Sequence, residues 1–134
     1  MDKEAQENLF TTIQGVISGV IEDKKSNPKN KKLFEDFNAR VILGLQVEEE
    51  FILWINLVAE NGNFEINRGR LGEYDLEVIA DPEDLMYFAN GTYSTLHMLF
   101  KKNRFGNRKL QANKGTTGRN LGLLLKLPKI LVLD

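Results

Sequence analysis

Among the side chains of this chain that could do chemistry, the carboxylates Asp81, Glu83 and Asp84 stand closest together, in the spacing of an acid and base pair. Such a pair cleaves glycosidic bonds when it flanks a long cleft, and a chain of 134 residues has little room for one. Capping accounts for all three acids. An aspartate before Pro82 accepts from free backbone N–H groups, proline fits the first helical position, and acids favour the positive end of a helix. His97 is the sole histidine, and with Leu96, Met98 and Leu99 around it, it reads as a helix-boundary residue rather than a base. One histidine and no cysteine exclude a His-rich metal site, a thiolate nucleophile, a cysteine zinc site and any disulfide. The expectation is therefore no enzyme: no catalytic residue, no metal and no cofactor.

Two glycine motifs invite a phosphate reading. Gly69-Arg70-Leu71-Gly72 has the form of a loop that clamps single-stranded RNA between two helices, but here it joins two strands, so nucleic acid is not expected as a partner. Lys114-Gly115-Thr116-Thr117-Gly118-Arg119 lacks the spacing and the Lys-Ser/Thr pair of a nucleotide loop. It does set hydroxyls and an arginine at a helix start, which serves either a plain threonine cap or contact with a headgroup or phosphate.

The net charge of -1 hides an asymmetry. The first 84 residues hold 18 acidic and 9 basic side chains, whereas the last 50 hold 9 basic side chains and Asp134 as their one acid. A basic half can meet phosphates of lipid headgroups, coenzyme A or nucleic acid, and opposite halves of a small domain also attract each other.

These groups must be positioned by a chain of 42% hydrophobic residues, enough for one domain over 1–134 with one core. Residues 4 to 22 carry Leu9, Ile13, Val16, Ile17, Val20 and Ile21 at helical spacing, with Gly15 and Gly19 assigned to close packing on the sheet. A polar loop follows, then a short helix around Leu33, Phe34 and Phe37. Val41 to Val47 and Phe51 to Leu57 alternate, and Asn61-Gly62 turns the chain into Phe64 and Ile66, an antiparallel meander. The second of these strands also carries Ile52, Trp54 and Val58 on its other face, which predicts a central strand covered on both sides. Either the closing segment Leu127 to Leu133 or a second copy of the protein would supply that cover.

Arg68 to Gly72 then crosses to a strand with Tyr74, Leu76, Val78 and Ala80 inward and Asp75 and Glu77 in water. Asp81 opens a helix with Leu85, Phe88 and Ala89 on one side, and Asn90-Gly91 ends it. Leu96, Leu99 and Phe100 mark a second helix, Lys109 to Ala112 a last short strand, and Leu121 to Leu127 a final helix that Pro128 should end. The apolar stripes of these three helices belong over one face of one sheet. They either pack fully against each other or leave a tunnel for a lipid chain.

This order of elements resembles the sterol carrier protein type 2 domain, a non-specific lipid transfer fold. Carrying the resemblance are Trp54 before Asn61-Gly62, Asp75-Leu76-Glu77-Val78 leading to Asp81-Pro82-Glu83-Asp84-Leu85, then Gly91, Phe100 and Gly106 to Ala112 ahead of the last helix. The resemblance implies an α+β fold, a five-stranded mostly antiparallel sheet with helices on one face, and a hydrophobic tunnel for a fatty acid, acyl-coenzyme A or sterol. It implies a lipid carrier without catalytic residues, and the lack of cysteines, of a signal-peptide pattern and of a membrane-length apolar run makes the cytoplasm the expected location. Lining the tunnel would be Leu85, Phe88, Leu96, Leu99, Phe100, Leu121, Leu124 and Leu125, with Arg104, Arg108, Lys109 and Arg119 toward anionic headgroups, including transient contact with an anionic membrane surface. The chain departs from the family pattern after Phe100, where Lys101-Lys102-Asn103-Arg104-Phe105 precedes Gly106. The competing expectation is a monomer or homodimer whose large side chains close the core, an interaction or regulatory module that dimerises through the Ile52 and Trp54 face.

Overall fold

The computed structural model describes residues 1–113 and 118–131, without the side chains of Leu96 and of residues 118–121. Helix α1 spans Lys3–Lys25, and the Asp2 carboxylate starts it by accepting from the Ala5 N–H at 2.8 Å. A helical turn at Pro28–Asn30 leads into the short α2, Lys31–Asp36. Strands β1 (Ala39–Glu48), β2 (Phe51–Glu60) and β3 (Asn63–Arg68) form the meander. Asn61 and Gly62 both adopt positive φ, 51° and 86°, the geometry a two-residue hairpin turn needs.

The chain then crosses to β4 (Leu76–Ala80), which pairs parallel with β1, and the remaining pairings are antiparallel. The order is β3-β2-β1-β4-β5, with β5 at Gln111–Asn113. β1, not β2, is therefore the middle strand, although β2 is interior as expected.

Three further helices follow β4. In α3 (Pro82–Asn90) the Asp81 Oδ1 accepts from the Asp84 N–H at 2.8 Å, and Gly91 at φ 74° ends the helix in the left-handed region. Helix α4 (Thr95–Phe100) starts on the Ser94 hydroxyl, and α5 spans Gly118–Leu131. Pro128 lies inside α5 rather than ending it. The apolar run on both sides of it explains why: Leu127 and Ile130 are fully buried, and their packing outweighs one lost backbone hydrogen bond.

One face of the sheet presents Val41, Leu43, Leu45, Leu53, Ile55, Leu57, Leu76 and Val78, all at most 2% exposed. Phe88 of α3, Met98 of α4, Ile21 of α1 and Leu124, Leu127 and Ile130 of α5 join them in one core. Phe34 and Phe37 close the β3 end, with ring centroids 5.2 and 6.2 Å from Phe64.

The opposite face carries Ile42, Gly44, Gln46, Ile52, Trp54, Asn56, Glu77 and Ile79 in register. Among the described residues, its cover does not come from the closing segment. Leu127 and Ile130 sit in the helical core, and the crossover supplies Arg70, whose guanidinium carbon lies 4.6 Å from the Trp54 ring centroid. Arg70 also pairs with Glu77, which is buried at 3% exposure instead of facing water. The strand alternation placed Glu77 on the outer face correctly, but that face is filled by the crossover rather than by solvent. Gly15 and Gly19 are exposed, with nothing within 4 Å of a Cβ at either position, so sheet packing is not their role.

Candidate functional site

The predicted lining residues come from the three helices that follow β4. Phe88 and Leu124 face the sheet, at 1% and 0% exposure, and Leu85 and Leu99 are half-buried against the same core. Phe100 and Leu125 stand at the surface instead, 65% and 53% exposed. Phe100 is the last residue of α4, two positions past Met98, which fills the inward position, so it falls on the opposite side of the helix. Of the stripe Leu96, Leu99 and Phe100, Leu99 is half-buried against the core and Phe100 is exposed, while Met98, outside that stripe, is the fully buried residue of α4 among the described side chains. The side chains of Leu96, Leu121 and Arg119 lie outside the described residues, as do residues 114 to 117 of the glycine-rich segment.

Three surface depressions, of about 650, 530 and 300 Å³, open on the described residues. The largest lies at the strand ends among Asn38, Arg40, Glu60, Glu73 and Asp75, a polar setting. The smallest touches the helical layer at Gly91, Pro128 and Lys129 and is bordered by Lys24, Lys29 and Leu33. None is lined by Phe88, Met98 or Leu124, where protein atoms meet one another.

The cations proposed for headgroups are differently engaged. Lys109 Nζ lies 3.2 Å from Asp84 Oδ1, and Arg104 Nε lies 3.7 Å from Asp81 Oδ2. Both aspartates are buried, 3% and 5% exposed, so capping and ion pairing share the same carboxylates. Burial pushes the Asp84 carboxyl above the usual aspartate range, the Lys109 hydrogen bond pulls it back, and the neighbouring Asp81 charge pushes it up again. The Tyr87 hydroxyl donates to Glu83 at 2.8 Å, which raises its pKa. Arg108 donates to the backbone carbonyls of Leu99 and Phe100 and lies over the Phe100 ring.

These contacts form a hairpin that the sequence did not reveal. Lys102 bridges to Arg108, the Asn103 N–H donates to the Asn107 carbonyl at 2.6 Å, and Gly106 turns at φ 81°. Asn103 Oδ1 accepts from the N–H groups of Phe105 and Asn107, and Asn107 Nδ2 reaches Gln46 Oε1 at 3.2 Å. An Asn at each end of Arg104-Phe105-Gly106 was the available signal for this turn.

Among the described residues, no three His, Asp or Glu side chains gather as a metal site, and no helix is long and apolar enough to cross a membrane.

No family model and no curated protein sequence matches the chain. Solved structures do. The apo form of sterol carrier protein 2 from Yarrowia lipolytica superposes with a TM-score of 0.63 at 16% identity, over 89% of this chain and 86% of that one. A ubiquinone synthesis protein, UbiJ-SCP2, gives 0.62 at 15% identity, over 98% and 93%. The sterol carrier protein domain 2 of Helicoverpa armigera gives 0.61 at 13% identity, over 84% and 82%. The fold is thus that of sterol carrier protein 2, in agreement with the resemblance carried by Trp54, the Asp75 to Leu85 segment and Gly91.

Proposed function

We propose that this protein is a non-enzymatic lipid carrier, holding one acyl-chain or sterol-like molecule between the sheet and helices α3, α4 and α5. The observation that carries the reading is the roof itself: three helices turn Leu85, Phe88, Met98, Leu99 and Leu124 toward one apolar sheet face. Likeness to the structures of sterol carrier proteins supports it. Burying about 15 methylenes at about 0.8 kcal/mol each amounts to roughly 12 kcal/mol before the entropic costs of binding, so capture needs no polar anchor. Phe88 and Leu124 would have to part slightly to admit a chain. In that opened state Leu85 and Leu99 would border the gap and Phe100 and Leu125 its outer rim, with Leu96 and Leu121 added by their positions in the sequence. Arg108 would face the headgroup, with Arg104 and Lys109 available if they exchange their present contacts and Arg119 added by its position in the sequence. The cargo would be carried in the cytoplasm.

Native mass spectrometry of the purified protein, followed by titration with a fluorescent fatty acid, tests this. A bound lipid mass or saturable one-to-one binding is the expected outcome. Apoprotein alone, together with no saturable binding, would defeat the reading.

The near-complete burial of Phe88, Met98 and Leu124 favours a second reading, a closed interaction module that dimerises through the outer sheet face around Ile52 and Trp54. In that case sedimentation shows a dimer that Trp54→Arg dissociates, and lipid does not bind.

A further inference from the structure

We propose that the hairpin from Lys101 to Lys109 docks the protein onto anionic bilayers, with Phe100 as its apolar wedge. The inference goes beyond cargo binding and does not depend on it.

The hairpin is a built element rather than a loose loop. A backbone bridge, the Asn103 side chain and the Gly106 turn shape it, and Asn107 fastens it to Gln46 on β1. Its five cations divide into two groups. Arg104 and Lys109 face the buried carboxylates Asp81 and Asp84, which hold the hairpin to the start of α3. Lys101, Lys102 and Arg108 are exposed and make no ion pair with a carboxylate among the described residues. The inner pairs position the element, Arg108 is shared with the Leu99 and Phe100 carbonyls, and Lys101 and Lys102 remain available to phosphates. The acidic turn Glu48-Glu49-Glu50 lies beyond Gln46, but its described ion pair is with the amino terminus, not with the hairpin.

Phe100 stands directly before this basic run, 65% exposed, with Arg108 beside its ring. A large apolar side chain next to unpaired cations matches the bilayer interface, where a ring enters the headgroup layer while lysines meet its phosphates. Single-stranded nucleic acid fits less well, because it stacks successive bases on several rings. Here Phe105 is half-buried with Arg104 over it, and Tyr93 beside Lys109 is stacked on His97, which leaves Phe100 as the most exposed ring near the hairpin among the described residues.

The test is vesicle sedimentation of lipid-stripped protein, so that its result stands apart from the cargo assay. Vesicles of phosphatidylcholine with and without phosphatidylserine are compared at low and high salt. Binding should require phosphatidylserine and fall steeply with salt. A K101Q/K102Q double variant should lose roughly 30-fold in partitioning, and Phe100→Ser roughly 10-fold with an unchanged salt slope. All three side chains are exposed, so circular dichroism and melting temperature should match the parent. Binding that ignores phosphatidylserine, a K101Q/K102Q protein that partitions like the parent, or single-stranded DNA that displaces the protein from vesicles would each overturn the proposal.

Discussion

The two faces of the sheet are built on opposite plans. The inner face is uniformly apolar, and α1, α3, α4 and α5 share its cover, so its stability is spread over many interchangeable hydrocarbon contacts. Among the described residues, no helix covers the outer face. It relies on single fits: Gly44 leaves room for the Trp54 ring, Arg70 spans Trp54 and Glu77, and Asn113 donates to the other Glu77 oxygen. Asn56 and the Trp54 carbonyl bind Gly69 and fix the crossover in place. A face made of hydrocarbon can shift to accommodate a guest. A face made of unique contacts cannot, and this makes the outer side the rigid wall of the molecule.

The largest effect should come from the inner roof. Phe88→Ala removes a fully buried ring and should lower unfolding free energy by about 3–5 kcal/mol, measured by urea denaturation. The same variant sharpens the functional reading. If the roof accepts an acyl chain, a saturating fatty acid should restore part of the lost stability, because a ligand that binds only the folded state stabilises it. A ligand that leaves the midpoint unmoved would place the loss in packing alone.

Next is the tightest fit of the outer face. A Cβ at Gly44 would stand 2.7 Å from the Trp54 ring, 3.1 Å from Ile79 and 3.2 Å from Ile52. The ring is confined by Arg70, so Gly44→Ala should displace it and cost about 1–3 kcal/mol. As the chain has one tryptophan, its emission should shift to the red in the variant. An unshifted emission with unchanged stability would mean that the ring is freely mobile and that this face is not rigid.

What was legible beforehand follows the same division. Alternation from Val41 to Leu57 and the three-four spacing of Leu85, Phe88 and Ala89 are local patterns, and they gave the strands, α3 and the apolar side of the sheet. So did Asp81-Pro82 and Asn90-Gly91, whose capping chemistry acts within a few residues. The burial of Glu77, by contrast, depends on Arg70 from across the crossover and on Asn113 from β5, and no local pattern marks either. The same holds for the lining. Phe100 and Met98 lie two positions apart on a helix of six residues, too short for its stripe to decide which faces inward. The basic run after Phe100 is plain in the sequence, but which of its cations Asp81 and Asp84 engage is a tertiary fact.

The smallest predicted effect concerns the ion pair at the centre of the outer face, and its value is in its asymmetry. Glu77 is 4% exposed at its side chain while Arg70 is 48% exposed. Removing Arg70 leaves an enclosed carboxylate with Asn113 as its remaining donor among the described residues, and an uncompensated buried charge is what makes such losses severe. Because Arg70 is half in water, its attraction is screened, and Arg70→Ala should cost about 1–2 kcal/mol, the lost cover of Trp54 included. Glu77→Gln leaves an amide that keeps its shape and can still accept from Asn113, while Arg70 turns to solvent, so that change should cost less than about 1 kcal/mol. Urea denaturation of both single variants and of the double variant measures the coupling. If Glu77→Gln proves the more damaging of the two, the carboxylate holds the crossover by attraction, and the rigidity of this face comes from charge rather than from fit.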